Sequence, residues 1–273
     1  MVRGVVATGD DRGARDGPVG AGGVVAYLGH ATTVIELGGT QVLTDPVLTA
    51  GVTFIRRVSA PPVHPLEETG LVLISHGHHD HLHQASLRRV DRDVPIVVPV
   101  GLGSLVTGWG HRSVTELPIG TTMEAGAVRV TAVYADHSGA RPPIGPQSTA
   151  IGFVIEGGGR TAYFAGDTDI YPQMAELATL GLDVALVPIW GWGPRLGPGH
   201  LDPDGAAEAL ALLRPRMAVP IHWGTLWPFG MRWRRDRLVD PPARFVDAAA
   251  RVAPETRVVV LAPGEAIELD EAA

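Results

Sequence analysis

From residue 24 onward the chain repeats one pattern: three to seven β-branched or apolar residues, then a break of Gly, Pro or Asp. Such runs predict strands at 24–28, 33–37, 41–44, 71–75 and 96–98, and again at 128–134, 149–155, 161–165, 184–188, 217–221 and 257–261. Helical spacing of apolar residues falls between the later runs, at 82–90, 171–180, 203–213 and 242–252. The third of these follows Asp202, a residue suited to accept from the free N–H groups of a first helical turn. Strands that first meander and then alternate with helices favour two sheets covered by helices over one doubly wound sheet. Residues 10–23 differ. They hold six Gly or Pro, five charges and a single sizeable apolar side chain, Val19. A flexible tail over 1–23 and one domain over 24–273 are expected.

Composition narrows the chemistry. With 45% hydrophobic residues in 273, the chain can bury one large core. Net charge is −7, all 22 basic residues are arginine, and no basic block is present, so nucleic acid is not an expected partner. There is no cysteine, which excludes disulfides, thiolate metal sites and a cysteine nucleophile. Any metal must be held by His, Asp or Glu. The N-terminal residues contain no apolar run of signal-peptide length, and a cytoplasmic location is the expectation.

Directly after the run at 71–75 stands His76-Gly77-His78-His79-Asp80-His81, which contains His-x-His-x-Asp-His. At this chain's own His and Asp frequencies the pattern arises by chance roughly once in a thousand such sequences. A strand end followed by a tight turn can present two imidazoles toward one point, with Asp80 and His81 facing a second. Four side chains cannot complete two coordination shells, so further donors must come from elsewhere. His137 follows the run at 128–134, Asp167 lies in Ala165-Gly166-Asp167-Thr168, and His222 follows the run at 217–221. All three are polar groups at expected strand C-termini, where α/β folds collect their sites.

The order His-x-His-x-Asp-His, then His, Asp and His, resembles the metallo-β-lactamase-fold hydrolase superfamily over essentially 24–269. Leu28-Gly29-His30-Ala31-Thr32, Leu43-Thr44-Asp45-Pro46, Ile74-Ser75-His76 and Pro220-Ile221-His222-Trp223-Gly224-Thr225 are similar to the branch containing N-acylphosphatidylethanolamine phospholipase D and ascorbate-6-phosphate lactonase. The resemblance implies an α/β fold, an αββα sandwich of two mixed sheets flanked by helices. It implies two divalent metal ions, zinc first with manganese or iron as alternatives. His76, His78 and His137 would hold one metal, Asp80, His81 and His222 the other, and Asp167 would bridge them. The activity implied is hydrolysis of a phosphodiester, phosphorylated lactone or related ester by a hydroxide shared between the metals.

Other residues carry paired readings. Asp45 is expected to orient a ligand imidazole, the alternative being a turn residue before Pro46. His200 resembles a loop histidine of the phospholipase D-like branch that contacts substrate or protonates a leaving group; a plain loop histidine is the competing account. His30 could hydrogen-bond to a ligand but is not counted as one, and His79 could line the pocket. Residues 223–237 interleave aromatics with arginines, as a flap over an anionic, partly apolar substrate or a weak membrane-surface contact would; a packed loop with solvated arginines is the alternative. Arg195, after Trp190-Gly191-Trp192, could pair with phosphate. A non-catalytic metal-binding or metabolite-sensing protein, a nuclease and a β-lactam hydrolase are the remaining functional alternatives.

Overall fold

A computed structural model describes residues 22–269 apart from Pro62, Arg232 and Arg234. All but the last two residues of the expected 1–23 tail lie outside that range, and Gly23 already belongs to the first strand.

The strands are β1 (Gly23–Gly29), β2 (Thr32–Leu37), β3 (Thr40–Thr44), β4 (Gly51–Val52), β5 (Ile55–Arg57), β6 (Thr69–Leu73), β7 (Ile96–Val98), β8 (Val114–Glu116) and β9 (Thr122–Ala125). They continue as β10 (Val128–Ser138), β11 (Thr149–Gly157), β12 (Arg160–Phe164), β13 (Val184–Pro188), β14 (Met217–Ile221), β15 (Leu226–Pro228), β16 (Arg257–Val258) and β17 (Ala266–Leu269). One sheet runs β17-β1-β2-β3-β6-β7-β8, and the other runs β16-β14-β13-β12-β11-β10-β9. A small third sheet, β15-β5-β4, sits apart from both. Each large sheet is mixed, parallel along β3-β6-β7-β8 in the first and β12-β13-β14-β16 in the second.

Three apolar layers hold this arrangement. Between the sheets lie Val25, Tyr27, Ile35 and Leu73 from the first and Val130, Phe153, Phe164 and Ile221 from the second, all essentially inaccessible. Outside the first sheet, Val72, Ile74 and Ile96 pack under α1 (Gln84–Leu87) and α2 (Gly103–Gly108). Beyond the second sheet, Tyr163, Ala185 and Val187 are covered by α3 (Met174–Leu177), α4 (Pro203–Leu213) and α5 (Asp240–Val252). Strands buried on both faces read as continuous apolar runs. That is why 71–75, 184–188 and 217–221 stood out in the sequence.

The sandwich of two mixed sheets between helices is the expected fold. Several elements differ from expectation in extent. The helix at 203–213 begins and ends as predicted, with the Asp202 carboxylate accepting from the Gly205 N–H at 2.9 Å. The helix expected at 82–90 shrinks to α1, because Arg89 and Val90 bond to the carbonyls of Ser86 and Leu87 in three-residue turns rather than continuing the α pattern. The one expected at 171–180 is α3 plus a 3₁₀ turn that Gly181 ends at φ +64°. The run 257–261 pairs only over its first two residues. In contrast, β10 is longer than expected: past a register shift between Tyr134 and Ser138 it takes in His137.

Candidate metal centre

The C-terminal ends of β1, β3, β6, β10, β12 and β14 meet along one edge of the sandwich and deliver His30, Asp45, the 76–81 turn, His137, Asp167 and His222. Three of these residues have positive φ: His30 at +59°, Asp45 at +34° and His222 at +64°. A non-glycine residue there carries about 1–3 kcal/mol of strain, which the surrounding contacts must offset. Gly166, at φ +63°, lets the chain pass so near the 76–81 turn that a Cβ on it would meet the Ser75 Cβ at 2.6 Å. Asp167 reaches the site because of that close approach.

The seven residues expected as ligands converge. His76, His78 and His137 present nitrogens within 4.8 Å of one another, and Asp80, His81 and His222 form a second such group together with His30. Asp167 lies between the groups. Its Oδ2 is 3.1 Å from His81 Nε2, 3.9 Å from His76 Nε2 and 4.0 Å from His137 Nε2, while its Oδ1 is 3.2 Å from His222 Nε2.

Hydrogen bonds at the back of the rings decide what points inward. His222 Nδ1 donates to the Trp190 carbonyl at 2.8 Å, and His137 Nδ1 donates to the Gly199 carbonyl at 2.7 Å. His81 Nδ1 donates to Asp45 Oδ2 at 2.7 Å. The Ser75 hydroxyl donates to the same oxygen at 2.6 Å, so it accepts from His76 Nδ1 at 2.9 Å. With those protons assigned, His76, His137 and His222 as neutral rings turn their Nε2 lone pairs into the site, and His81 turns its Nε2 there as well. His81 Nε2 and His222 Nε2 then face each other at 3.1 Å, and His137 Nε2 faces His78 Nδ1 at 3.2 Å. Each pair brackets a point where a proton or a cation can be shared. His76 Nε2 and Asp167 Oδ1 are fully buried with no hydrogen-bond partner, a costly condition that a coordinated cation removes.

Electrostatics point the same way. Burial pushes His76, His222 and His137 below the ordinary imidazole range, and takes His78 down to about 4, which keeps these rings neutral and able to coordinate. For Asp80 and Asp167, burial works toward protonation, but His81 beside the first and His222 and His81 beside the second hold both carboxyls well below their usual range. Burial also opposes charge on His81, yet Asp167, Asp45 and Asp80 outweigh it and hold His81 well above the ordinary range. The pocket is built to favour positive charge at its centre.

Two further histidines border the ligand groups. His30 Nε2 donates to Asp80 Oδ2 at 3.0 Å and is buried, so it steadies a carboxylate. His200 Nε2 lies 3.5 Å from Asp167 Oδ2 with its ring against that of His137. Burial lowers its proton affinity, but the hydrogen bond and charge of Asp167 win and raise it to about 9.

Above the histidines opens a cavity of about 640 Å³, lined by His78, Asp80, Asp167, His200 and His222 at its base and by Phe54, Ile55, Trp192, Leu196 and Trp233 on its walls. His79 and Arg195 border it too. The 223–237 segment divides. Trp233 faces the cavity, but Trp227 is buried and donates to the Met231 carbonyl, and Trp223 stacks on Tyr27 against the core. Much of the expected flap is therefore packing, held by the β15–β5 pairing. Arg237 lies over the Trp190 ring; Arg232 and Arg234 are outside the described residues. A second cleft of about 600 Å³ lies at the opposite end of the second sheet, where Arg129 and Arg160 pair with Glu156 and Asp183, and it holds no histidine.

Sequence reasoning missed Ser75 and the carbonyls of Trp190 and Gly199. The Ser75 hydroxyl was recoverable from its place between an apolar strand and the first motif histidine. The carbonyls carry no side-chain signal.

An αββα sandwich with a His/Asp cluster at the strand C-termini defines a metallo-β-lactamase-type domain. Residues 40–223 match the family model described as the beta-lactamase superfamily domain, and the chain belongs to that family. It is similar to a UPF0173 metal-dependent hydrolase of Methanopyrus kandleri, at 32% identity over 248 residues, 89% of this chain and 99% of that protein. It is also 31% identical over 232 residues to N-acyl-phosphatidylethanolamine-hydrolyzing phospholipase D 1 of Caenorhabditis elegans, covering 75% of this chain and 64% of that one. Among solved structures, the metallo hydrolase Igni18 of Ignicoccus hospitalis superposes with a TM-score of 0.71 at 24% identity, across 92% of this chain and all of that one, a likeness in fold.

Proposed function

We propose that this chain is a dinuclear metal-dependent hydrolase of phosphodiesters, phosphorylated lactones or related esters. His76, His78 and His137 would hold one divalent cation, Asp80, His81 and His222 the second, and Asp167 both. The observation that carries this reading is the set of back-side hydrogen bonds that turns the Nε2 atoms of His76, His81, His137 and His222 toward common points. Divalent cations bound there supply hydroxide near neutral pH and positive charge for the developing oxyanion.

The protein's own residues do the rest. Asp45 and the two carbonyls hold the imidazoles in one tautomer and orientation. His200 borders the cavity beside Asp167, placed to pass a proton to a leaving oxygen. Phe54, whose ring meets Trp192 edge-on at 5.2 Å, and Trp233 exclude water and receive an apolar part of the substrate. Arg195, exposed at the rim, offers a charge-assisted contact to an anionic group. The net charge of −7 and the aromatic and aliphatic cavity walls favour a small-molecule ester over a nucleic acid.

The test is metal analysis together with turnover on a panel of phosphodiesters, lactones and carboxylic esters after reconstitution with zinc, manganese or iron. Two equivalents of metal with turnover on one ester class are expected. Two equivalents and no turnover on any class would favour the metal-binding or sensing alternative.

Two substitutions probe individual roles. His200→Ala is expected to lower kcat by about 10²-fold while two metals stay bound; loss of metal would make His200 a ligand instead. Phe54→Ser is expected to lower kcat/KM about tenfold for long-chain p-nitrophenyl esters, equivalent to ~1.4 kcal/mol, and to leave the acetyl ester almost unchanged. Equal losses on both esters would mean that Phe54 does not meet the acyl chain.

A further inference from the structure

The guanidinium of Arg141 reaches from the loop between β10 and β11 across to the 76–81 turn. Its Nη1 donates to the Gly77 carbonyl at 3.0 Å and to the Leu82 carbonyl at 2.8 Å. Those two oxygens bracket His78, His79, Asp80 and His81. One nitrogen therefore grips both ends of the turn that supplies three expected ligands. Nη2 donates to His79 Nδ1 at 2.9 Å, which leaves the His79 Nε2–H to donate to the Pro142 carbonyl at 2.8 Å. The guanidinium also lies over the Trp109 ring, 5.3 Å from its centroid.

The backbone reinforces this contact. Gly77 N–H donates to the Gly139 carbonyl at 3.0 Å, and a Cβ on Gly77 would meet that oxygen at 2.7 Å. The two segments are pressed together at a glycine, and Arg141 spans the seam. One segment hangs from the first sheet and carries His78, Asp80 and His81. The other continues directly from His137 on the second sheet.

We propose that Arg141 is a positioning residue that clamps the metal-ligand turn to the second sheet and thereby sets the spacing between ligands drawn from the two sheets. The inference rests on the dinuclear reading above. A planar guanidinium with five donors suits the task, because it satisfies two carbonyls and an imidazole from fixed directions. A lysine ammonium can reach the carbonyls but cannot hold all three acceptors in the same fixed fork. Methionine would keep an aliphatic stem against Trp109 and supply no donor. His79 gains a role here: it borders the cavity, and its ring links Arg141 to the Pro142 carbonyl.

The experiment compares the parent protein with Arg141→Met and Arg141→Lys, each stripped of metal and titrated with zinc against a competing chelator, alongside thermal unfolding of the metal-free forms. Arg141→Met is expected to bind zinc about 10–100-fold more weakly, the range typical when a residue that orients metal ligands is lost. Arg141→Lys should recover part of that loss, and the metal-free Tm of both variants should stay within about 3 °C of the parent. Zinc retention by Arg141→Met equal to the parent's would overturn the clamp and leave the dinuclear reading standing. Weaker zinc binding that tracks a matching fall in metal-free Tm would also overturn it, since Arg141 would then only be packing. A parent protein that binds none of zinc, manganese and iron would overturn both readings.

Discussion

Asp167→Asn is expected to lose metal and activity together, falling from two equivalents per chain to one or fewer, with kcat reduced on the order of 10³-fold or more. The side chain keeps its shape, so the effect reports the lost charge and acceptor and not lost packing. In the folded protein Oδ1 faces His222 and Oδ2 faces His81, at 3.2 and 3.1 Å, with His76 and His137 farther out on the Oδ2 side. Two divalent cations about 3.5–4 Å apart repel unless an anion is shared between them. The amide removes that anion and turns an N–H₂ toward lone pairs or cations. Metal-free protein provides a second readout. His200, lifted to about 9 by the Asp167 carboxylate against the effect of burial, should titrate lower in the variant, because only burial and weaker backbone contacts remain. NMR titration of the ring protons measures this without any metal. An Asp167→Asn protein with two tightly held metals would remove the bridge from the proposal.

The sequence made the sandwich and the cluster readable for one physical reason. Strands buried on both faces are continuous apolar runs, and ligands at their C-terminal ends appear as polar residues immediately after those runs. His76 after 71–75, Asp167 after 161–165 and His222 after 217–221 all follow that rule. His137 was less sharply placed, since β10 extends past an irregularity that the residue pattern does not mark.

Short elements escaped for the opposite reason. β5 and β15 are three residues each, and their pairing of Ile55 with Pro228 joins segments that share no local periodicity. That pairing decides which part of 223–237 is packing and which faces the cavity, so composition alone could not separate Trp227 from Trp233. The supports of the imidazoles were equally hidden. Two are main-chain carbonyls, and Arg141 lies 59 and 64 residues from the two carbonyls it grips. Among the described residues no helix is long and apolar enough to cross a membrane.

Asp45 is the support that was legible, and substituting it is expected to have the second-largest effect. Asp45→Asn should weaken metal binding about 10–100-fold and lower the stability of the metal-free protein by about 1–3 kcal/mol. The carboxylate is fully buried and accepts three hydrogen bonds: the Ser75 N–H at Oδ1, and the Ser75 hydroxyl and His81 Nδ1 at Oδ2. An asparagine amide cannot serve all three. With its nitrogen in the Oδ2 position it meets two donors, and with its nitrogen in the Oδ1 position it meets the Ser75 N–H, so in either orientation donors oppose donors. The readiest relief is for His81 to give up its Nδ1 proton and carry it on Nε2, where it would occupy the lone pair proposed to hold a metal. The Ser75 hydroxyl would be freed to turn away from the amide, and His76 would lose its fixed tautomer through the same chain. One substitution would thus disturb both ligand groups, His76 in one and His81 in the other, although Asp45 itself is not proposed to touch either cation. Zinc titration and urea unfolding of the metal-free variant measure the two effects separately. Unchanged zinc affinity together with reduced stability would show that Asp45 supports the turn before Pro46 and does not set the imidazole tautomers.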